Sequence, residues 1–103
     1  MALARDFRET VQARVRNDQE FRRGLLSDAV ESLLAGEVQL GREILRDFIN
    51  ATLGFPALSE RTGIHVKSLH QMLGPKGNPT AANFFNIIVC LQEHEGVRLQ
   101  VVA

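Results

Sequence analysis

Lys67 and Gln71 stand four residues apart in a stretch that reads as helix, so both side chains point the same way. A glutamine can pair with adenine through two hydrogen bonds, and a lysine can donate to guanine or to a phosphate. Val66, Ser68 and His70 complete an exposed face that can hydrogen-bond and carries one fixed positive charge. Such a face, on a helix narrow enough to enter the major groove, can read base edges.

The segment around these residues runs Leu58-Ser-Glu-Arg-Thr-Gly-Ile-His-Val-Lys-Ser-Leu-His-Gln-Met-Leu73. It reads as two short helices joined at Gly63, the grammar of a helix-turn-helix. Glycine adopts the left-handed conformation needed there without steric penalty. Ile64 is the expected apolar plug under the turn. Leu58, Leu69 and Leu73 are the expected small core between the two helices.

Other residue types offer less chemistry. His65 and His70 are five residues apart, about 140° around a helix, so they diverge and do not form a metal pair. His94 is remote in sequence. The lone Cys90 follows an apolar run and reads as a small buried hydrophobe; it excludes an internal disulfide framework and a cysteine zinc site. The chain shows no phosphate-binding glycine loop, dinucleotide fingerprint, nucleophile elbow or paired-carboxylate signature, so neither an enzyme nor a cofactor is expected. Arg5, Arg8, Arg14, Arg16, Arg22 and Arg23 are interleaved with acids, which favours a solvated surface or a protein interface over a nucleic-acid backbone.

The elements that must position the reading face come from periodicity and punctuation. Leu3, Phe7 and Val11 predict a first helix. Asn17-Asp-Gln-Glu20 predicts a capping box, with Asn17 as cap. Phe21, Leu25, Ala29, Val30, Leu33 and Leu34 predict the buried side of a second helix stopped at Gly36. Gly41, Ile44, Leu45, Phe48, Ile49 and Thr52 predict that of a third, ended by Gly54. Pro56 fits the first turn of a fourth helix. The fifth, the reading helix, starts near His65. Gly74-Pro-Lys-Gly-Asn-Pro79 is a loop. Thr80 caps a sixth helix whose buried side is Phe84, Ile87, Ile88 and Leu91, and Gly96 breaks it. Val97-Arg-Leu-Gln-Val-Val102 alternates over its first five residues and predicts a β-strand.

The expected fold is therefore all-α, five to six helices around a central helix-turn-helix, with one C-terminal strand. At 103 residues this is one expected domain. Residues 1–53 form a helical layer, 54–74 the helix-turn-helix, and 75–103 the loop, helix and strand. The formal net charge is zero, which argues against strong nonspecific nucleic-acid binding. The charge is polarised, however. From Gly24 to Leu53 there are five acids against two arginines; from Gly54 to Thr80 there are Arg61, Lys67 and Lys76 against Glu60. No signal peptide or bilayer-spanning apolar run is evident, so a cytoplasmic location and no membrane partner are expected.

The chain resembles the Cro/repressor-type helix-turn-helix superfamily, and more closely the short antidote (antitoxin) proteins of bacterial toxin–antitoxin addiction modules. The residues carrying this are Leu45-Arg-Asp-Phe-Ile-Asn-Ala-Thr-Leu-Gly-Phe55, the helix-turn-helix itself, Lys67-Ser-Leu69, Leu73-Gly-Pro-Lys-Gly-Asn-Pro79 and Gly96-Val-Arg-Leu99. They span most of the chain. The resemblance implies base contacts from Val66, Lys67, His70 and Gln71, and phosphate contacts from Ser68, Lys76 and Asn78. It also implies repression of its own operon and a toxin protein as partner. Ser59 stands where such motifs usually carry alanine, and its hydroxyl is expected to seek the carbonyl four residues back. His65 stands where serine or another good cap is usual, which predicts a weakly started reading helix.

The expected function is that of a sequence-specific regulator, binding double-stranded DNA as a homodimer on a palindromic operator. Val97, Leu99 and Val101 are the expected dimer strand, pairing with its copy across a two-fold axis. The alternative is a protein-interaction module, an antidote or scaffold without DNA binding of its own.

Overall fold

A computed structural model describes residues 9–10, 13–14 and 17–103. The expected stripe of Leu3, Phe7 and Val11 lies outside the described residues. Two compact units divide between Thr52 and Leu53. The chain is mainly helical, and the described residues contain no β-strand.

The first unit contains α1 (Gln19–Leu34) and α2 (Val38–Ala51), which pack on each other. The cap of α1 is Asp18, not Asn17: its carboxylate accepts from the Phe21 amide at 3.1 Å. Asn17 is itself still helical, which shifts the boundary by one residue. The buried centre of α1 is Leu26 with Ala29, while Leu34, expected inside, is 69% exposed. On α2 the expected face holds at Gly41, Leu45, Phe48 and Ile49, all buried. The helices approach closely at Gly41. A Cβ there would lie 2.7 Å from Leu33 Cγ and 3.0 Å from the Ala29 carbonyl oxygen, so only glycine fits without a shift.

The second unit contains α3 (Phe55–Thr62), α4 (Val66–Met72) and α5 (Ala81–Glu95). Pro56 occupies the first turn of α3, where its missing amide proton has no partner to lose. Phe55, Leu58, Leu69, Leu73, Ile87, Ile88, Cys90 and Leu91 are buried and form this unit's core. The helix α3 packs on both α4 and α5. Thr80 caps α5 as expected, its hydroxyl oxygen accepting from the Asn83 amide at 3.1 Å. Gly96, with φ of 70°, ends it.

The expected strand at Val97–Val102 does not form. A strand needs a neighbour to accept and donate its backbone hydrogen bonds, and these residues find Gln92 instead. The Val97 amide donates to the Gln92 carbonyl at 3.0 Å, and the Leu99 amide to Gln92 Oε1 at 2.7 Å. The segment is thus tied back onto the end of α5. Val97 and Leu99 are half-buried and Arg98 and Gln100 exposed, so the alternation survives without a ladder. Val101, expected on the same face, is 85% exposed.

Candidate nucleic-acid interface

The turn that aims α4 is fixed from three sides. Gly63 adopts the left-handed conformation, φ 74° and ψ 11°, and its amide donates to the Ser59 carbonyl at 2.9 Å. The Ser59 hydroxyl donates forward to the Ile64 carbonyl at 2.6 Å, not to the carbonyl four residues back. Thr62 makes that backward bond, to Leu58, at 2.8 Å. Thr62 Oγ1 also accepts from the Ile64 amide at 3.2 Å. From α5, Asn86 Nδ2 donates to the Thr62 carbonyl at 3.2 Å. The Ser59 hydroxyl thus adds a side-chain hydrogen bond across this turn that alanine could not make.

His65 also serves better than expected. Its Nδ1 accepts from the Lys67 amide at 3.2 Å, the role of a capping side chain. That bond requires Nδ1 to be unprotonated, with the ring proton on Nε2.

The face of α4 expected to read bases divides by environment. Lys67 and Gln71 are exposed on one side of α4, while Val66 and Ser68 are half-buried. His70 is exposed, yet its ring lies on that of the buried Phe55, centroids 4.0 Å apart and planes inclined by 25°. One face of the imidazole is thereby committed to α3, and the ring edge and the opposite face remain for other contacts.

The loop after α4 is held close to it. The Gly77 amide donates to the Gly74 carbonyl at 3.1 Å. A Cβ on Gly77 would collide with the carbonyls of Gln71 and Met72, so the loop backbone rests directly on the end of α4. Between loop and helix is a cleft of about 300 Å3, with Ser68 and Gln71 on α4, Lys76 and Asn78 on the loop and Asn83 on α5 among its lining residues. The structure thus brings together four of the residues singled out in the sequence, Ser68, Gln71, Lys76 and Asn78. Asn83 was not anticipated. Its position three residues after the Thr80 cap, in the first turn facing the loop, was the available signal. Every one of these five side chains can donate a hydrogen bond, one is a cation, and no carboxylate lines the cleft. Such a set suits an anionic oxygen.

Cys90 is buried, and burial pushes its thiol above the ordinary range; the Arg61 guanidinium, which hydrogen-bonds it, opposes that shift. Among the described residues no group of three or more histidine, cysteine or acidic side chains is placed to hold a metal. No described helix is long and apolar enough to cross a membrane. No known family, no curated protein and no solved structure matches this chain.

Proposed function

We propose that this protein is a sequence-specific DNA-binding regulator that inserts α4 into the major groove. The observation that carries the reading is the joint placement of two features. Lys67 and Gln71 project from a short helix whose turn is hydrogen-bonded on three sides, and the donor-lined cleft of Ser68, Lys76 and Asn78 lies directly beside it. Base edges would be read by Lys67 and Gln71, with Val66 and the edge of His70 adding contacts. A backbone phosphate would take the cleft, which fixes register without reading sequence. With few cations near the motif, one subunit makes few phosphate contacts, and occupation of a palindromic operator by a dimer supplies the remainder.

The sequence resemblance to antidote proteins supports a narrower version: a cytoplasmic autorepressor that also neutralises a toxin. No catalytic role is part of this reading.

Selection from random duplexes is the direct test. A palindromic consensus should emerge, and Gln71→Ala should relax preference at one base position, at a cost of about 1–3 kcal/mol. Lys67→Ala should weaken binding. If no duplex is enriched, or if both variants keep the parent's affinity and preference, α4 is not a reading helix.

A further inference from the structure

Several polar side chains of the second unit are engaged with its backbone. The Ser59 and Thr62 hydroxyls donate to the Ile64 and Leu58 carbonyls, Asn86 donates to the Thr62 carbonyl, and Gln92 accepts from the Leu99 amide. The cleft between α4 and the loop after it differs. Within the described residues, the side chains of Ser68, Gln71, Lys76, Asn78 and Asn83 that line it make no hydrogen bond and no ion pair. The bond from Asn83 to Thr80 is made by its backbone amide and leaves the carboxamide uncommitted. Ser68 and Asn83 are half-buried, so they give up part of their hydration with no protein partner in exchange.

Three carboxamides, a hydroxyl and an ammonium thus line one cleft from α4, the loop and α5, with no carboxylate among them. A phosphate group is the matching chemistry. Its source is decided by how many oxygens it can offer. A phosphodiester of a nucleic-acid backbone has two free oxygens and a single negative charge. A monoester has three, with a charge of about −1.5 to −2 near neutral pH. The donors in this cleft exceed what two oxygens accept, and a third oxygen takes up the excess. At about 300 Å3 the cleft lies at the small end of ligand sites, so the monoester it fits is a small molecule. Met72 and Pro79 supply apolar wall for its organic part.

We propose that this cleft is a receptor site for a small phosphate monoester, which displaces the DNA backbone from it. Lys76 neutralises part of the ligand's charge, and Ser68, Asn78 and Asn83 donate to its oxygens. Gln71 lines the same cleft and also belongs to the base-reading face. A bound monoester therefore occupies the phosphate position and engages Gln71 at once, and the ligand acts as an effector that releases DNA. The release rests on the DNA-binding reading. The site itself is tested without DNA, so either can fail while the other stands.

Methyl phosphate and dimethyl phosphate are the probes, a monoester and a diester of one size class. Each is titrated into the 15N-labelled full chain at about pH 8, where the monoester carries both charges, with chloride holding ionic strength constant. Methyl phosphate should shift the side-chain amide signals of Gln71, Asn78 and Asn83 and saturate them. Dimethyl phosphate should bind at least about tenfold more weakly, the worth of one charge-assisted hydrogen bond. Asn83→Asp keeps the shape and the Thr80 cap but puts a carboxylate in the cleft, and it should abolish methyl phosphate binding with unchanged far-UV circular dichroism. Lys76→Ala should weaken binding by a similar tenfold. Signals that do not move, equal affinity for the two probes, or binding that survives both substitutions would each overturn the site. With the duplex enriched by selection, methyl phosphate should raise the DNA Kd above its value in chloride of the same ionic strength. An unchanged Kd would overturn the effector role. If no duplex is enriched, the DNA-binding reading has failed, and the titration without DNA still decides the site.

Discussion

His70 stacks on Phe55 with ring centroids 4.0 Å apart, so a side chain of the exposed helix α4 is clamped to the buried start of α3. The pair makes His70 a structural contact before any contact it makes to a base. Replacing it by alanine should cost about 0.5–1.5 kcal/mol of stability, the usual worth of an aromatic pair beyond its buried area. A double-mutant cycle with Phe55→Leu, followed by urea unfolding, should recover a coupling of the same size. His70→Phe separates the two roles. It keeps the stack and removes the ring nitrogens, so it should retain stability. Any change it causes in DNA preference then reports on the imidazole edge alone.

Gly41 tests the packing of the first unit. Glycine within a helix is destabilising relative to alanine by roughly 0.5–1 kcal/mol, and on propensity alone Gly41→Ala would stabilise α2. The new methyl group, however, meets Leu33 and the Ala29 carbonyl. Overpacking of this kind costs about 1–3 kcal/mol, and it should win because a backbone oxygen cannot rotate aside. Thermal unfolding should show a lowered Tm. A raised Tm would mean that α1 and α2 separate easily.

What could be read in the sequence was what is local. Gly63, Pro56 and Thr80 act through their own backbone or the adjacent turn, and each sits where its type predicts. The helix α4 was legible from spacing, and the buried Leu58, Leu69 and Leu73 followed from it. What failed depended on partners that spacing does not supply. Alternation at Val97–Val101 records two faces but not a neighbouring strand, and Gln92 took the backbone bonds instead. Asn17 matched the capping-box pattern, but the preceding turn absorbed it and Asp18 became the cap. Asn83 joined the cleft only because the loop folds back onto α4. Phe85 falls outside the expected buried stripe of Phe84, Ile87, Ile88 and Leu91, and it is indeed exposed.

Cys90 predicts a pH dependence. Burial raises its pKa in the folded state, so the native thiol holds its proton more tightly than the unfolded one. The associated stability is whole below the unfolded pKa and is lost as pH rises through the folded pKa. Urea midpoints should therefore fall as the pH is raised above about 8.5, the ordinary thiol value. Cys90→Ala should flatten part of that fall. Iodoacetamide should alkylate the native protein much more slowly than the protein in denaturant. Equal rates would place the thiol in solvent and remove the effect.

Gly77 offers the sharpest separation of phosphate from base contacts. Its backbone rests on the carbonyls of Gln71 and Met72, and an alanine there must lift the loop from the end of α4. Lys76 and Asn78 would move with it, while Lys67, Gln71 and the hydrogen-bonded turn at Gly63 stay in place. If the cleft holds a backbone phosphate, Gly77→Ala should weaken all duplexes by a similar factor and leave the base preference intact. Lys76→Ala should do the same. Each lost phosphate contact should reduce the slope of log affinity against log salt by about 0.9. Gln71→Ala should show the converse, a changed preference. Titrations of operator and scrambled duplexes at several salt concentrations distinguish these outcomes. A Gly77→Ala protein with the parent's affinity and salt slope would take the loop out of the interface and leave α4 to bind alone.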